Sequence, residues 1–220
     1  VMGPLRIDVF FDFICPWCLI GKRQLERALA ELRASHPEVE LELGWHGVQL
    51  LPHLPAQGVP FTEFYQKRLG SAEAVRLRQA QVRQAAASVG LSIDFRGIST
   101  MPNTADAHRL LENATALGSV AQRDALLERL FAAYFHEGKD LGDSAILLAI
   151  AESCGYSREA LADCLEGARS PYDDGGMGAR GVPCFIINRR QAVSGAQPAE
   201  VLLQAMHQAL AQDAAGSQSA

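Results

Sequence analysis

The sequence has no apolar run approaching the roughly 18–20 residues of a membrane span, so no membrane partner is expected. No secretory leader is expected from its opening residues. Val1-Met2-Gly3-Pro4 passes directly into a strand-like segment, without a basic region or an apolar helix, and the expectation is a cytoplasmic protein. Positive charge is not in surplus. Lys and Arg number 20 against 25 Asp and Glu, a formal net charge of −5, which argues against a nucleic-acid partner needing clustered bases. Cysteine is scarce, odd in number at five, and mostly unclustered, which excludes a disulfide scaffold and agrees with a cytoplasmic setting. There is no internal repeat. The 220 residues suffice for one large domain, or for one domain carrying an inserted second.

What is present has a clear order. Leu5 to Phe13 is rich in β-branched and aromatic residues and nearly alternates, which predicts a strand. Pro16 suits a helix start, Leu25, Ala28, Leu29 and Leu32 recur at helical spacing, and Pro37 ends the run. Val39 to Trp45 alternates as a second strand, so the segment reads as βαβ with parallel strands. Residues 61–167 hold no convincing strand. Ser71, Asp143 and Ser157 are candidate helix caps, and Gly90, Gly118, Gly138, Gly155 and Gly167 are candidate stops. Strand signals return at Cys184 to Asn188, followed by a hairpin turn over Asn188 to Gln191 and a strand from Ala192 to Ser194. Pro198 opens a last amphipathic helix.

Removing the helical block leaves a compact α/β unit built from both ends of the chain. The layout resembles a thioredoxin-like fold with a large all-helical insertion. The expected division is 1–60 with 168–213 as the α/β domain, 61–167 as the insertion, and 214–220 as a flexible tail.

Cys15-Pro16-Trp17-Cys18 lies where a strand gives way to a helix. A helix N-terminus exposes unpaired N–H groups and partial positive charge, which stabilise a thiolate. Cys15 precedes the helix and is expected to be the more exposed sulfur, with Cys18 one turn in. Redox chemistry fits that asymmetry: one sulfur forms a mixed disulfide and the other resolves it. Two other readings stand beside it. A zinc site needs two further ligands, but Cys154 and Cys164 are ten residues apart and the six histidines are scattered, so no metal is expected. A chance pair of core thiols is the other. Trp17 is expected to be exposed and to contact substrate.

Four segments together resemble the DsbA-like family, and within it the FrnE-like branch. They are Phe11-Asp-Phe-Ile-Cys-Pro-Trp-Cys-Leu-Ile-Gly-Lys22, Asn103-Thr-Ala-Asp-Ala-His-Arg109, Gly181-Val-Pro-Cys-Phe-Ile-Ile-Asn188 and Ser194-Gly-Ala-Gln-Pro198. The resemblance implies dithiol–disulfide exchange, with Cys15 as nucleophile, Cys18 as resolving thiol and a cis proline at Pro183. The backbone at Val182 would then be open to an extended substrate. It also puts the helix start at Asn103 and His108 near the redox pair. His108 is there either a substrate or glutathione contact or a residue orienting the insertion. With Pro16, Trp17, Val182 and Pro183, these make up the expected substrate-binding set.

Two features depart from the family pattern. Cys184 follows the proline where an aromatic or aliphatic residue is usual. The approach from Ser170 to Gly178 carries three glycines where the family runs a helix, each costing a helix roughly 0.8–1 kcal/mol relative to alanine. That segment reads as either a weak helix or a loop. Cys154 and Cys164 fall on apolar stripes and read as buried, inert thiols, not bonded to one another.

Three functions are compatible with these features. The first is a disulfide oxidoreductase acting on protein or small-molecule thiols, with glutathione as a redox partner and no tightly bound cofactor. The second is a glutathione-dependent isomerase or transferase, related to 2-hydroxychromene-2-carboxylate isomerases and kappa-class glutathione transferases. Those typically carry serine where this chain has Cys15, so the second cysteine favours the first function. The third is a non-enzymatic binding module. A homodimer is left open.

Overall fold

The computed structural model describes residues 3–218, with side chains through 216. Val1, Met2 and the last two residues of the expected tail lie outside the described residues. Strand β1 (Leu5–Phe11) buries Leu5, Ile7 and Val9 on one face and turns Arg6, Asp8 and Phe10 to the other. Helix α1 (Pro16–Ser35) buries Leu25, Ala28, Leu29 and Leu32 along one stripe, and β2 (Leu41–Gly47) returns parallel to β1 with Leu41 opposite Leu5.

The helical block follows. It contains β3 (Val59–Pro60), α2 (Phe61–Leu69), α3 (Ala72–Ser88), β4 (Thr100–Met101), α4 (Ala105–Leu117), α5 (Val120–Phe135), α6 (Ser144–Ser153) and α7 (Arg158–Ala162). Ser71, Asp143 and Ser157 accept backbone N–H bonds at their helix starts, and Ser119 with Gln122 forms a capping box. The expectation of no strand in 61–167 needs correcting, since β4 pairs antiparallel with β3. A two-residue bridge is too short to leave a sequence pattern. Helix α7 also stops at Ala162, earlier than Gly167.

Between 168 and 183 no α-helix forms; the one helical element there is a 3-10 turn at Met177–Arg180. Gly175 and Gly176 take positive φ, and the Asp173 and Asp174 carboxylates accept their N–H groups, so local side-chain bonds replace the helical ladder. Strands β5 (Cys184–Ile187) and β6 (Gln191–Ser194) form a hairpin whose turn residues Asn188 and Arg189 both have positive φ. Helix α8 (Ala199–Gln218) continues past residue 213, where the sequence reading ended it. Asp213 accepts bonds from Asn188 and Arg190 of the hairpin turn, which ties this last part of the helix down.

The sheet order is β2-β1-β5-β6, with β5 antiparallel to both neighbours. Helices α1 and α8 cover the face bearing Ile7, Val9, Phe185 and Ile187. A second core runs through the helical block and takes in Phe11 and Phe13 at the end of β1. The insertion is thus packed directly behind the turn that carries Cys15.

Candidate active site

Residues Asp12 to Ile14 turn the chain from β1 into α1, making Cys15 the N-cap and Pro16 the first helical residue, where a missing N–H costs nothing. The Cys15 N–H donates to the Asp12 carbonyl at 3.2 Å, and the Cys18 N–H donates to the Cys15 carbonyl at 3.1 Å. No side chain caps this helix and no acidic residue lies in its first turn. The positive end of the helix is left facing the Cys15 sulfur.

All five cysteines are free thiols. Cys15 is 7% exposed and Cys18 2%, so both are buried and the expected difference in exposure is small. Access separates them more clearly, because Cys15 lines an open cavity of about 190 Å³ and Cys18 does not. Burial pushes the Cys18 thiol well above its ordinary value, and the hydrogen bond and charge of Cys15 push it further. Trp17 lines the same cavity and is half-buried against the helical core, where the sequence reading had it exposed.

The cavity wall opposite Cys15 comes from α2 and α3. Phe61, Phe64, Tyr65 and Arg68 occupy one face of α2, and Val75, Arg78, Gln79 and Val82 one face of α3. Burial, then the charge of Cys15, push the Tyr65 phenol up to about 12, so it remains a hydrogen-bond donor at neutral pH.

The Val182–Pro183 peptide is cis. A Cβ at Gly21 would lie 3.2 Å from Pro183 Cγ and 3.2 Å from Phe185 Cζ, so glycine permits this close approach of β5 to α1, one turn beyond Cys18. Pro183 and Phe185 therefore share the face turned to α1, and Cys184 between them points to the other face.

Asn103 and His108 are buried and do not line this cavity, nor do Val182 and Pro183. His108 is held by Asp12, its Nε2 lying 2.9 Å from Asp12 Oδ1, and its ring stacks on Phe13 at 4.9 Å between centroids. Asn103 Oδ1 accepts from the Ala105 N–H and from Gln49 Nε2, capping α4 and tying it to the loop after β2. Both are buried because they fasten the insertion to the sheet. Cys154 and Cys164 are half-buried rather than buried, and the Cys164 thiol donates to the Leu161 carbonyl at 3.0 Å.

Sequence reasoning passed over Asp12 and the α2 face. Phe61, Phe64, Tyr65 and Arg68 recur at i, i+3, i+4 and i+7, a helical stripe legible beforehand. Among the described residues no group of three or more His, Cys, Asp or Glu is placed to hold a metal, and no helix is long and apolar enough to cross a membrane.

Three comparisons bear on this arrangement. The chain is 25% identical over 193 residues to the uncharacterized protein YwbO of Bacillus subtilis (strain 168), covering 83% of this chain and 86% of that one. It superposes with TM-score 0.81 and 28% identity on a probable DsbA oxidoreductase, SCO1869, from Streptomyces coelicolor, covering 94% and 90% of the two chains. It shares its fold, at TM-score 0.64 and 18% identity, with a 2-hydroxychromene-2-carboxylate isomerase over 95% of this chain and 98% of the other. Residues 6–207 match the DSBA-like thioredoxin domain, so the chain, an α/β thioredoxin-like fold with a helical insertion, belongs to that family.

Proposed function

We propose that this protein catalyses thiol–disulfide exchange, with Cys15 as the attacking sulfur and Cys18 as the resolving one. One observation carries the reading: Cys15 opens onto a cavity at an uncapped helix N-terminus, while Cys18 sits behind it as a buried thiol held protonated. The Cys15 thiolate attacks one sulfur of a disulfide, forming a mixed disulfide and releasing one thiolate. Cys18, once deprotonated, attacks the Cys15 sulfur, and the second thiolate leaves. The substrate gains two electrons and the protein ends with a Cys15–Cys18 disulfide, which an external thiol reduces. Protein or small-molecule thiols are the partners, glutathione among them, without a tightly held cofactor. Pro16 and Trp17 line the same cavity as Cys15, and the Val182 backbone before the cis Pro183 is read as the edge that an extended substrate would pair with. A place in the FrnE-like branch, on the segments around Cys15, Asn103, Pro183 and Ser194, and a cytoplasmic setting, on the few unclustered cysteines, accompany this reading.

The test is trapping. Cys18→Ser is expected to accumulate mixed disulfides on Cys15, with glutathione or protein, under non-reducing mass spectrometry, and Cys15→Ser to accumulate none. Adducts on Cys18 or Cys184 with Cys15 left free would reassign the nucleophile. A glutathione-dependent reaction surviving Cys18→Ser would favour isomerase or transferase chemistry instead, and a binding module would show no exchange at all.

A further inference from the structure

The cavity beside Cys15 is walled mainly by apolar and aromatic side chains, yet two arginines are among its lining residues: Arg68 from α2 and Arg78 from α3. Several arginines elsewhere in the fold are answered by carboxylates, Arg76 by Glu73, Arg23 by Glu128, Arg109 by Asp106 and Arg123 by Asp124, while others such as Arg27 and Arg33 are not, among the described residues. Among the described residues, neither Arg68 nor Arg78 has a carboxylate within the 4.0 Å of an ion pair. Arg68 is held in place over the Phe64 ring, its guanidinium carbon 5.9 Å from the centroid. Tyr65 lies within electrostatic reach of Cys15, Arg68 and Arg78 together, so the sulfur and both cations border one ligand-sized space.

We propose that this cavity selects a small disulfide whose substituent is aromatic or apolar beside the sulfur and carries a carboxylate, which Arg68 and Arg78 hold. The inference rests on the exchange reading above and names its substrate class. Both arginines are solvent-exposed and stand at the cavity rim, where a guanidinium fork can bind a carboxylate through charge-assisted hydrogen bonds while the apolar wall takes the substituent. The exchange itself is unaltered. Cys15 takes one sulfur of the bound disulfide and releases one thiolate, Cys18 displaces the other, and two electrons pass to the ligand. A thiol such as glutathione, supplied in solution, returns them to the protein.

Stopped-flow reaction of the reduced protein with two aromatic disulfides provides the test. Dithiobis-nitrobenzoate bears a carboxylate on each ring; dithiodipyridine bears none. The quantity read is the ratio of the two second-order rate constants, normalised to the same ratio for a free thiol. In the double variant Arg68→Ala, Arg78→Ala the ratio is expected to fall about tenfold or more, the loss of one or two charge-assisted bonds. Arg68→Lys, which keeps the charge and loses the planar fork, is expected to fall in between. An unchanged ratio in the double variant overturns the proposal. So does a parallel fall with both probes, which would mean that the arginines act on the sulfur and not on the ligand. An equal fall in Arg33→Ala, at the far end of α1, would mean bulk attraction and also overturns it. A wild-type protein unreactive toward both probes removes the exchange reading itself, and is distinguishable from all of these.

Discussion

His108 Nε2 lies 2.9 Å from Asp12 Oδ1, and neither side chain has exposed surface. The carboxylate only accepts, so the imidazole donates. The other carboxylate oxygen accepts the Leu50 N–H at 2.9 Å. One buried acid, three residues before Cys15, thus fastens the β1–α1 turn to the start of α4 and to the loop whose Leu50 and Leu51 line the cavity. The orientation of the insertion and the shape of the site share this clamp.

His108→Ala leaves that acid buried without its side-chain partner. Removing one member of a buried pair costs about 3–5 kcal/mol, because the remaining group is stranded away from water. Denaturant unfolding of the variant is expected to show a loss in that range with little change in slope. A loss below about 1 kcal/mol would show that the pair is not the clamp described.

Gly47 makes room for the same imidazole. A Cβ there would stand 2.3 Å from His108 Nδ1, closer than packing allows. The ring is flanked by Phe13 and Tyr172, which resist its displacement. Gly47→Ala is therefore expected to lose about 1–3 kcal/mol by overpacking, although alanine is ordinarily the better strand residue. Combining it with His108→Ala should recover much of that loss, since the clash disappears with the ring.

The redox helix is also held by charge. Lys22 and Arg23 of α1 both reach Glu128 of α5, Lys22 at 2.7 Å. Burial alone would raise the Glu128 carboxyl, but the hydrogen bonds from Arg23 and Lys22 outweigh it and bring it from 4.5 down to about 2. A lowered acid stabilises the fold fully above its ordinary value, and that contribution disappears as pH falls from 4.5 toward 2. The Glu128 side chain is over a third exposed, so solvent screening reduces the effect to the order of 1 kcal/mol. Glu128→Gln should be less stable than wild type at neutral pH by about that amount, and the two should converge near pH 2.

Much of this was legible in the sequence because local signals and global fold agree. Cys15 and Pro16 announce the helix start, and Ser71, Asp143 and Ser157 cap where their chemistry requires. What escaped depends on long-range contacts. Asp12 reads as one polar residue in an aromatic strand, and only folding brings it against His108, 96 positions away. The same distance hides from the sequence the partners of His108 and of Asn103, which bonds Gln49, 54 positions away. A polar pair at a helix start looks alike from sequence whether it faces a ligand or a buried acid. Arg68 and Arg78 belong to separate helices and converge only across the cavity.

The resolving step should report the environment of Cys18. Burial is the largest cause that raises this thiol, ahead of the hydrogen bond and charge of Cys15. Forming a mixed disulfide on Cys15 removes the second and third causes and leaves the first, so Cys18 stays protonated at neutral pH. Resolution requires the thiolate, and its rate should climb close to tenfold per pH unit while the thiolate is the minor form. The charge of Asp12 raises the thiol as well, as the smallest of the causes. Asp12→Asn should therefore resolve modestly faster than wild type at any given pH, even though it is less stable. Rapid acid quench followed by non-reducing mass spectrometry measures the decay of the Cys15 adduct from pH 6 to pH 9. In Cys18→Ser the adduct should persist across the whole range. A wild-type decay rate independent of pH would mean that another group takes the Cys18 proton within the folded protein, and that burial does not set the pace of resolution.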